Sequence, residues 1–228
     1  MGANAVTTVP VYTASEVLTA ADMNITNSGI PVFATTTTRD AAFGGTGEKT
    51  LAEGQFAYLE DTNTTQYYDG AAWQSVAPTQ QIAIFNETQA NLTQGGTFTS
   101  GSYVKRTLNT TVVNTITGCS IASSVITLPA GTYSVSAIAP ALQVSNHKTR
   151  LQNTTDGTTI AIGTTNTCAA ADTTQTNAAL ITYFTLAASK NIELQHRCAT
   201  TAASYGLGTA MNFSDSEVYS SITITKVA

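Results

Sequence analysis

Charge is scarce in this chain. Lys and Arg number nine and Asp and Glu fourteen, so only 10% of the 228 residues are charged, against about 25% in an average domain. The net charge is −5 and the cations are scattered. That pattern leaves no electrostatic footprint for nucleic acid and speaks against a peripheral membrane role. No apolar run approaches the roughly 18 residues of a spanning helix, so no membrane insertion is expected. The opening stretch "MGANAVTTVPVYTASEV" has no basic start and no apolar run, so no export signal is expected in it. "MGANAV" also lacks the hydroxyl residue that the myristoylation pattern needs. Cysteines are three and widely spaced, Cys119, Cys168 and Cys198. An odd, dispersed set fits neither a disulfide framework nor a zinc site, so they are expected as small apolar fillers.

Thr and Ser are abundant instead, and they must cover the surface that Lys and Glu usually cover. β-branched side chains suit a pleated surface and lose rotamer freedom in a helix. With 42% hydrophobic residues there is material for a real core. The chain is therefore expected to be nearly all β.

Residues 1–78 read as an arm followed by a small β module. Ser15, Val17, Leu18, Ala21 and Met23 permit a helical turn or two. Two short capped turns, at 13–18 and 19–24, fit equally well. "GQFAYLED" places Phe56 and Tyr58 on one strand face and Ala57 and Leu59 on the other. "TTQYYDGAAWQSV" gives a second strand through Tyr67 and Tyr68, a turn at Asp69-Gly70, and a third strand from Trp73 to Val76. Pro78 marks a change of composition.

Residues 79–228 show many short strands at regular spacing, about eight in all, the number in one jelly roll. Ile82 and Ile84 share a face opposite Phe85, and Tyr133, Val135 and Ala137 share another. "HKTRLQN" alternates His147, Thr149 and Leu151 against Lys148, Arg150 and Gln152. Ile160 and Ile162 are expected to be buried. Ile192, Leu194, His196 and Cys198 share a face. In the last strand Ser220, Ile222 and Ile224 oppose Glu217, Tyr219 and Thr223.

Four segments carry a family resemblance: "FTSGSYVKRTLNT", "LPAGTYSVSAIAPALQVSNHKTRLQNTTDGTTIAIGT", "IELQHRCATTAASYGLGTAMNF" and "EVYSSITITKV". They resemble the C-terminal domain of many bacteriophage virion proteins. That domain is similar to the trimeric jelly roll of tumour necrosis factor and the complement globular head. "TASEVLTAADMN", "RDAAF" and "AYLEDTNTTQYYDGAAWQSV" resemble an N-terminal module of phage tail and other surface proteins. The resemblance implies an all-β homotrimer on the exterior of a virion, on tail or capsid. Residues 1–78 would meet other virion proteins, and a knob of 79–228 would be displayed, with a host surface glycan or protein as its partner. It places Tyr183, Phe184 and Tyr219 on central strands, as candidates for the threefold contact. The metal-binding members use clustered carboxylates; no matching cluster is present, so no metal and no cofactor are expected.

Candidate chemistry is thin. A catalytic His147 needs a nucleophile and an orienting acid, and with dozens of Ser and Thr any match is uninformative. His147, Lys148 and Arg150 are expected instead to form a polar strand face at solvent or a subunit contact. Asp172, Asp215 and Glu217 lie in separate segments, without calcium-loop spacing, and are expected on a solvated rim. "GEKT" lacks the full phosphate-loop pattern. Tyr67, Tyr68 and Trp73, near Glu53 and Glu60-Asp61, could form a carbohydrate platform, but they are more naturally the core of a small sheet.

The leading expectation is a non-enzymatic virion protein of the short tail-fibre kind. A capsid decoration or head-fibre protein is the alternative. A spike depolymerase needs paired carboxylates in a groove, and the acids here are sparse. A secreted adhesin lacks its export signal.

Overall fold

The computed structural model describes residues 6–9, 11–19, 29–46, 48–76, 80–169, 171 and 173–227. The chain divides into two compact units, 1–79 and 80–228. In the arm, Glu16 closes a capped turn on Thr13, its carboxylate accepting from the Thr13 N–H at 2.7 Å. Residues 20–24, where further helical turns were expected, lie outside the described residues.

The first unit holds β1 (Val32–Phe33), α1 (Thr36–Asp40), β2 (Phe56–Leu59), β3 (Thr64–Tyr68) and β4 (Trp73–Ser75), in sheet order β1-β2-β3-β4. Three of these strands were expected; β1 and the single helical turn are additions. Threonines usually favour strands, but Thr35 caps α1 and exchanges hydrogen bonds with Thr38 in a capping box. Ala57 and Leu59 are buried with Phe33, Ala42 and Val9. Trp73 packs on this cluster between Phe43 at 5.9 Å and Tyr68 at 5.7 Å, with the Arg39 guanidinium 4.6 Å from its ring. Trp73 and Tyr68 thus complete a small core.

The second unit contains β5 (Gln81–Gln89), β6 (Val104–Lys105), β7 (Thr110–Asn114), β8 (Ser120–Ala122), β9 (Val125–Leu128), β10 (Gly131–Ala141), β11 (Ser145–Asn153), β12 (Thr158–Cys168), β13 (Thr176–Leu186), β14 (Lys190–Cys198) and β15 (Glu217–Lys226). The front sheet runs β13-β10-β15-β5-β7. The back sheet runs β12-β11-β14-β9-β8, with β6 also paired to β14. From β5 to β15 the chain changes sheet at every connection except β8 to β9 and β11 to β12. That interleaving of antiparallel strands is a jelly roll. The extra strands beyond the expected eight are short segments such as β6 and β8.

Alternation builds the core. Tyr133, Val135, Ala137, Phe85, Ile222 and Ile224 point inward from the front sheet, and Leu151, Ile126, Ile192 and Leu194 from the back. At one side the two sheets meet edge to edge through β12 and β13. The Ala179 N–H donates to Thr164 Oγ1, and that hydroxyl donates to the Ala179 carbonyl. Gly163 lies in this seam because a Cβ there would sit 2.5 Å from the Ala179 carbonyl oxygen.

Bulges overturn two expectations. Between Val218 and Ser221 the pairing with β5 slips. Two residues, Tyr219 and Ser220, then oppose one, and the phase of the strand inverts. Tyr219 therefore points inward, 5% exposed, as do Ile222 and Ile224 further along. In β12 the pairing with β11 slips twice. Ile160 is a half-buried bulge residue, whereas Ile162 faces outward beside Arg150 and is 62% exposed.

Candidate interaction site

Phe184 and Tyr219, candidates for a subunit contact, are turned into their own unit. Phe184 alternates inward and packs 5.8 Å from Tyr133. Tyr219 donates its hydroxyl to the Thr93 carbonyl at 2.7 Å. Tyr183, one residue from Phe184, projects outward and is 65% exposed. It lies opposite Ser134 on β10. Ile181 lies opposite Ser136, and Ala179 opposite Ile138. Ile181 is 81% exposed and Ile138 43%. The outer face of β13 and β10 is therefore an uncharged surface of Ile, Tyr, Ala and Ser. A strand normally places polar groups there, so two isoleucines and a tyrosine on adjacent strands form an apolar patch.

His147, expected on a polar strand face with Lys148 and Arg150, is corrected. It points into the sandwich and is buried. Its Nδ1 lies 2.9 Å from His196 Nε2, and its Nε2 lies 2.8 Å from Thr176 Oγ1. The Thr176 hydroxyl donates to the Thr167 carbonyl, so it accepts from His147 Nε2–H. His147 Nδ1 is then the acceptor, and His196 Nε2–H donates to it. Burial, reinforced by the Arg106 charge, pushes His147 down to about 4 and His196 to about 2, with His147 adding to the shift at His196. Both rings are neutral at physiological pH.

Beside the histidines lies a buried ion pair that strand alternation alone did not reveal. Arg106 and Glu87 are fully buried, 2.6 Å apart. Arg106 Nε donates to the same carboxylate at 2.8 Å, and its remaining nitrogens reach the Leu207 carbonyl at 2.8 Å and the Pro140 carbonyl at 3.4 Å. One guanidinium thus ties β5, the end of β10 and the 199–216 loop together. Glu217, expected on a solvated rim, is instead buried and accepts from the Met211 and Asn212 N–H groups. Asp172 lies outside the described residues. Cys119, Cys168 and Cys198 carry free thiols.

Lys148 and Arg150 point outward from β11. The Arg150 guanidinium sits 4.0 Å from the Tyr103 ring, and its Nε donates to Gln195 Oε1 at 2.8 Å. Lys148 lies directly opposite Arg197 of β14.

No family model and no curated protein matches the chain. Among solved structures, murine APRIL is similar at 10% identity and a TM-score of 0.43, over 65% of this chain and 100% of that one. The globular domain of zebrafish complement 1qA is similar at 11% identity and a TM-score of 0.43, over 65% and 98%. The PRD1 vertex protein P5 is similar at 14% identity and a TM-score of 0.39, over 67% and 100%.

Proposed function

We propose that this chain is a non-enzymatic component of a phage virion. Residues 1–78 dock on the particle, and the jelly roll forms a displayed homotrimeric knob for host-surface attachment, in the manner of a short tail fibre. The observation that carries the trimer is the apolar patch of Ile138, Ile181 and Tyr183. A second copy of the chain is the natural cover for it, because a threefold arrangement closes and keeps the assembly finite. Each aromatic buried there would remove roughly 150–250 Å² from water. The virion assignment is supported by the sequence resemblance of both units to phage surface proteins.

The test is the mass in solution. The protein is expected to sediment as a trimer at micromolar concentration, and Ile181→Glu with Tyr183→Glu is expected to sediment as a folded monomer. A wild-type monomer would remove the trimer. Antibody labelling of particles tests the virion placement, and its position on tail or shell separates a tail fibre from a capsid decoration or head-fibre protein.

A further inference from the structure

The outer face of the back sheet concentrates cations in a chain that has few. Lys105, Lys148, Arg150 and Arg197 all project from it, against a single carboxylate among the described residues of its strands, Glu193. Glu193 is already engaged, 3.6 Å from Lys105 and accepting from Gln195 Nε2 at 2.7 Å. Gln195 in turn accepts from Arg150, so Arg150 is held in place on Tyr103. Lys148 and Arg197 are different. They are cross-strand partners in register, and among the described residues neither makes an ion pair or a side-chain hydrogen bond, although the Arg197 guanidinium lies 5.9 Å from the Tyr103 ring. Like charges directly opposite one another on adjacent strands are unfavourable.

This pair borders a cavity of ≈ 490 Å³, whose other walls include Ser100, Asn146 and Thr165. Sites for small organic ligands span about 300–1,000 Å³, so the cavity is larger than an inorganic anion needs. Hydroxyl and amide groups around two cations that lack an acidic partner suit a ligand that carries both hydroxyls and negative charge. A nucleic acid would call for a series of aromatic platforms, and the Tyr103 ring beside the cavity is taken up by Arg150 at 4.0 Å and Arg197 at 5.9 Å. We infer that this cavity binds an acidic saccharide, with Lys148 and Arg197 clamping its carboxylate or sulfate and Ser100, Asn146 and Thr165 meeting its hydroxyls. The inference rests on the attachment reading and names the class of glycan that the knob holds.

The experiment measures binding of the full chain, in low salt, to polygalacturonate and dextran sulfate, with uncharged dextran, polyglutamate and a single-stranded oligonucleotide as comparisons. The acidic polysaccharides are expected to bind, and binding is expected to weaken as salt rises. Lys148→Gln with Arg197→Gln should weaken it at least tenfold, while Lys49→Gln in the first unit leaves it unchanged. The exchange Lys148→Arg with Arg197→Lys keeps both charges and should keep binding, which guards against a misfolded double variant. Equal binding of dextran, polyglutamate or the oligonucleotide, or a glutamine variant as tight as the parent, overturns the site. Polysaccharide binding by a protein absent from particles would remove the virion reading alone. A particle protein that ignores both acidic polymers would remove this inference alone.

Discussion

The two outer faces of the sandwich are dressed in opposite ways although they cover the same core. The front face, along β13 and β10, offers Ile181, Tyr183 and Ile138 among serines and no charge. The back face, along β11 and β14, offers Lys148, Arg150 and Arg197. Most inward positions on both sheets bury apolar groups, with Glu87, His147 and His196 as polar exceptions that find their partners inside the sandwich, so they speak mainly to stability. The outward positions are free to vary, and they carry the difference. An uncharged apolar face suits a second copy of the same chain, whereas a cationic face repels its own copy and suits an anionic ligand.

The interior on which both faces hang should give the largest effect. Removing one partner of the Arg106–Glu87 pair leaves the other charge buried and unpaired, at a cost of about 3–5 kcal/mol. Glu87→Ala is therefore expected to lower the denaturant midpoint steeply, and trimerisation and polysaccharide binding should fail together. Replacing both residues by apolar side chains should recover much of the loss. If Glu87→Ala kept full stability but lost only one face, the faces would not share this support.

Much of the core was legible, because Tyr133, Val135 and Ala137, or Leu151 and Leu194, need only period-two alternation to be placed. Tyr219 was misplaced because a bulge adds one residue and inverts the phase of β15 from that point. Ile162 failed for the same reason. A bulge is set by pairing with another strand, and no local pattern announces it. The buried ion pair left a faint signal: Glu87 shares parity with Ala83 and Phe85, so a carboxylate was aimed at the core and required a cation. The Lys148–Arg197 juxtaposition was out of reach, since it depends on the register between strands 49 residues apart.

Acid separates the interior from the faces, because His147 points inward while Lys148 and Arg150 point outward. The unfolded chain binds protons on its histidines near pH 6.5. In the folded state His147 resists until about 4 and His196 until about 2. Their stabilisation is thus complete above pH 6.5 and is lost progressively as pH falls below it. Asp156, held low by Lys190 and Asn153, and Asp69, held low by the Ala72 and Ala71 N–H groups, lose theirs only below the ordinary carboxylate value of 3.8. Between pH 6.5 and 4 the histidines therefore lower the unfolding free energy before Asp156 and Asp69 begin to do so. This decline is expected to persist in high salt, which cannot reach buried rings. A flat profile over that window would show the rings to be protonated or open to solvent in the fold.

The smallest effect is the most direct measure of the contrast. Lys148→Thr removes one of two like charges in register and puts a good strand former in its place. The variant should be slightly more stable than the parent in low salt, by roughly 0.2–1 kcal/mol. The gain should vanish near 1 M salt, where the screening length falls to about 3 Å. The corresponding change on the front face, Ile138→Thr, has no charge to relieve, so its effect on unfolding should not depend on salt, while it weakens self-association. Opposite salt signatures at two outward positions of one sandwich would set a repulsive face apart from a merely unsatisfied one. A Lys148→Thr variant that lost stability in low salt would mean that the lysine already has an anionic neighbour, and the back face would then be a closed surface with no ligand to await.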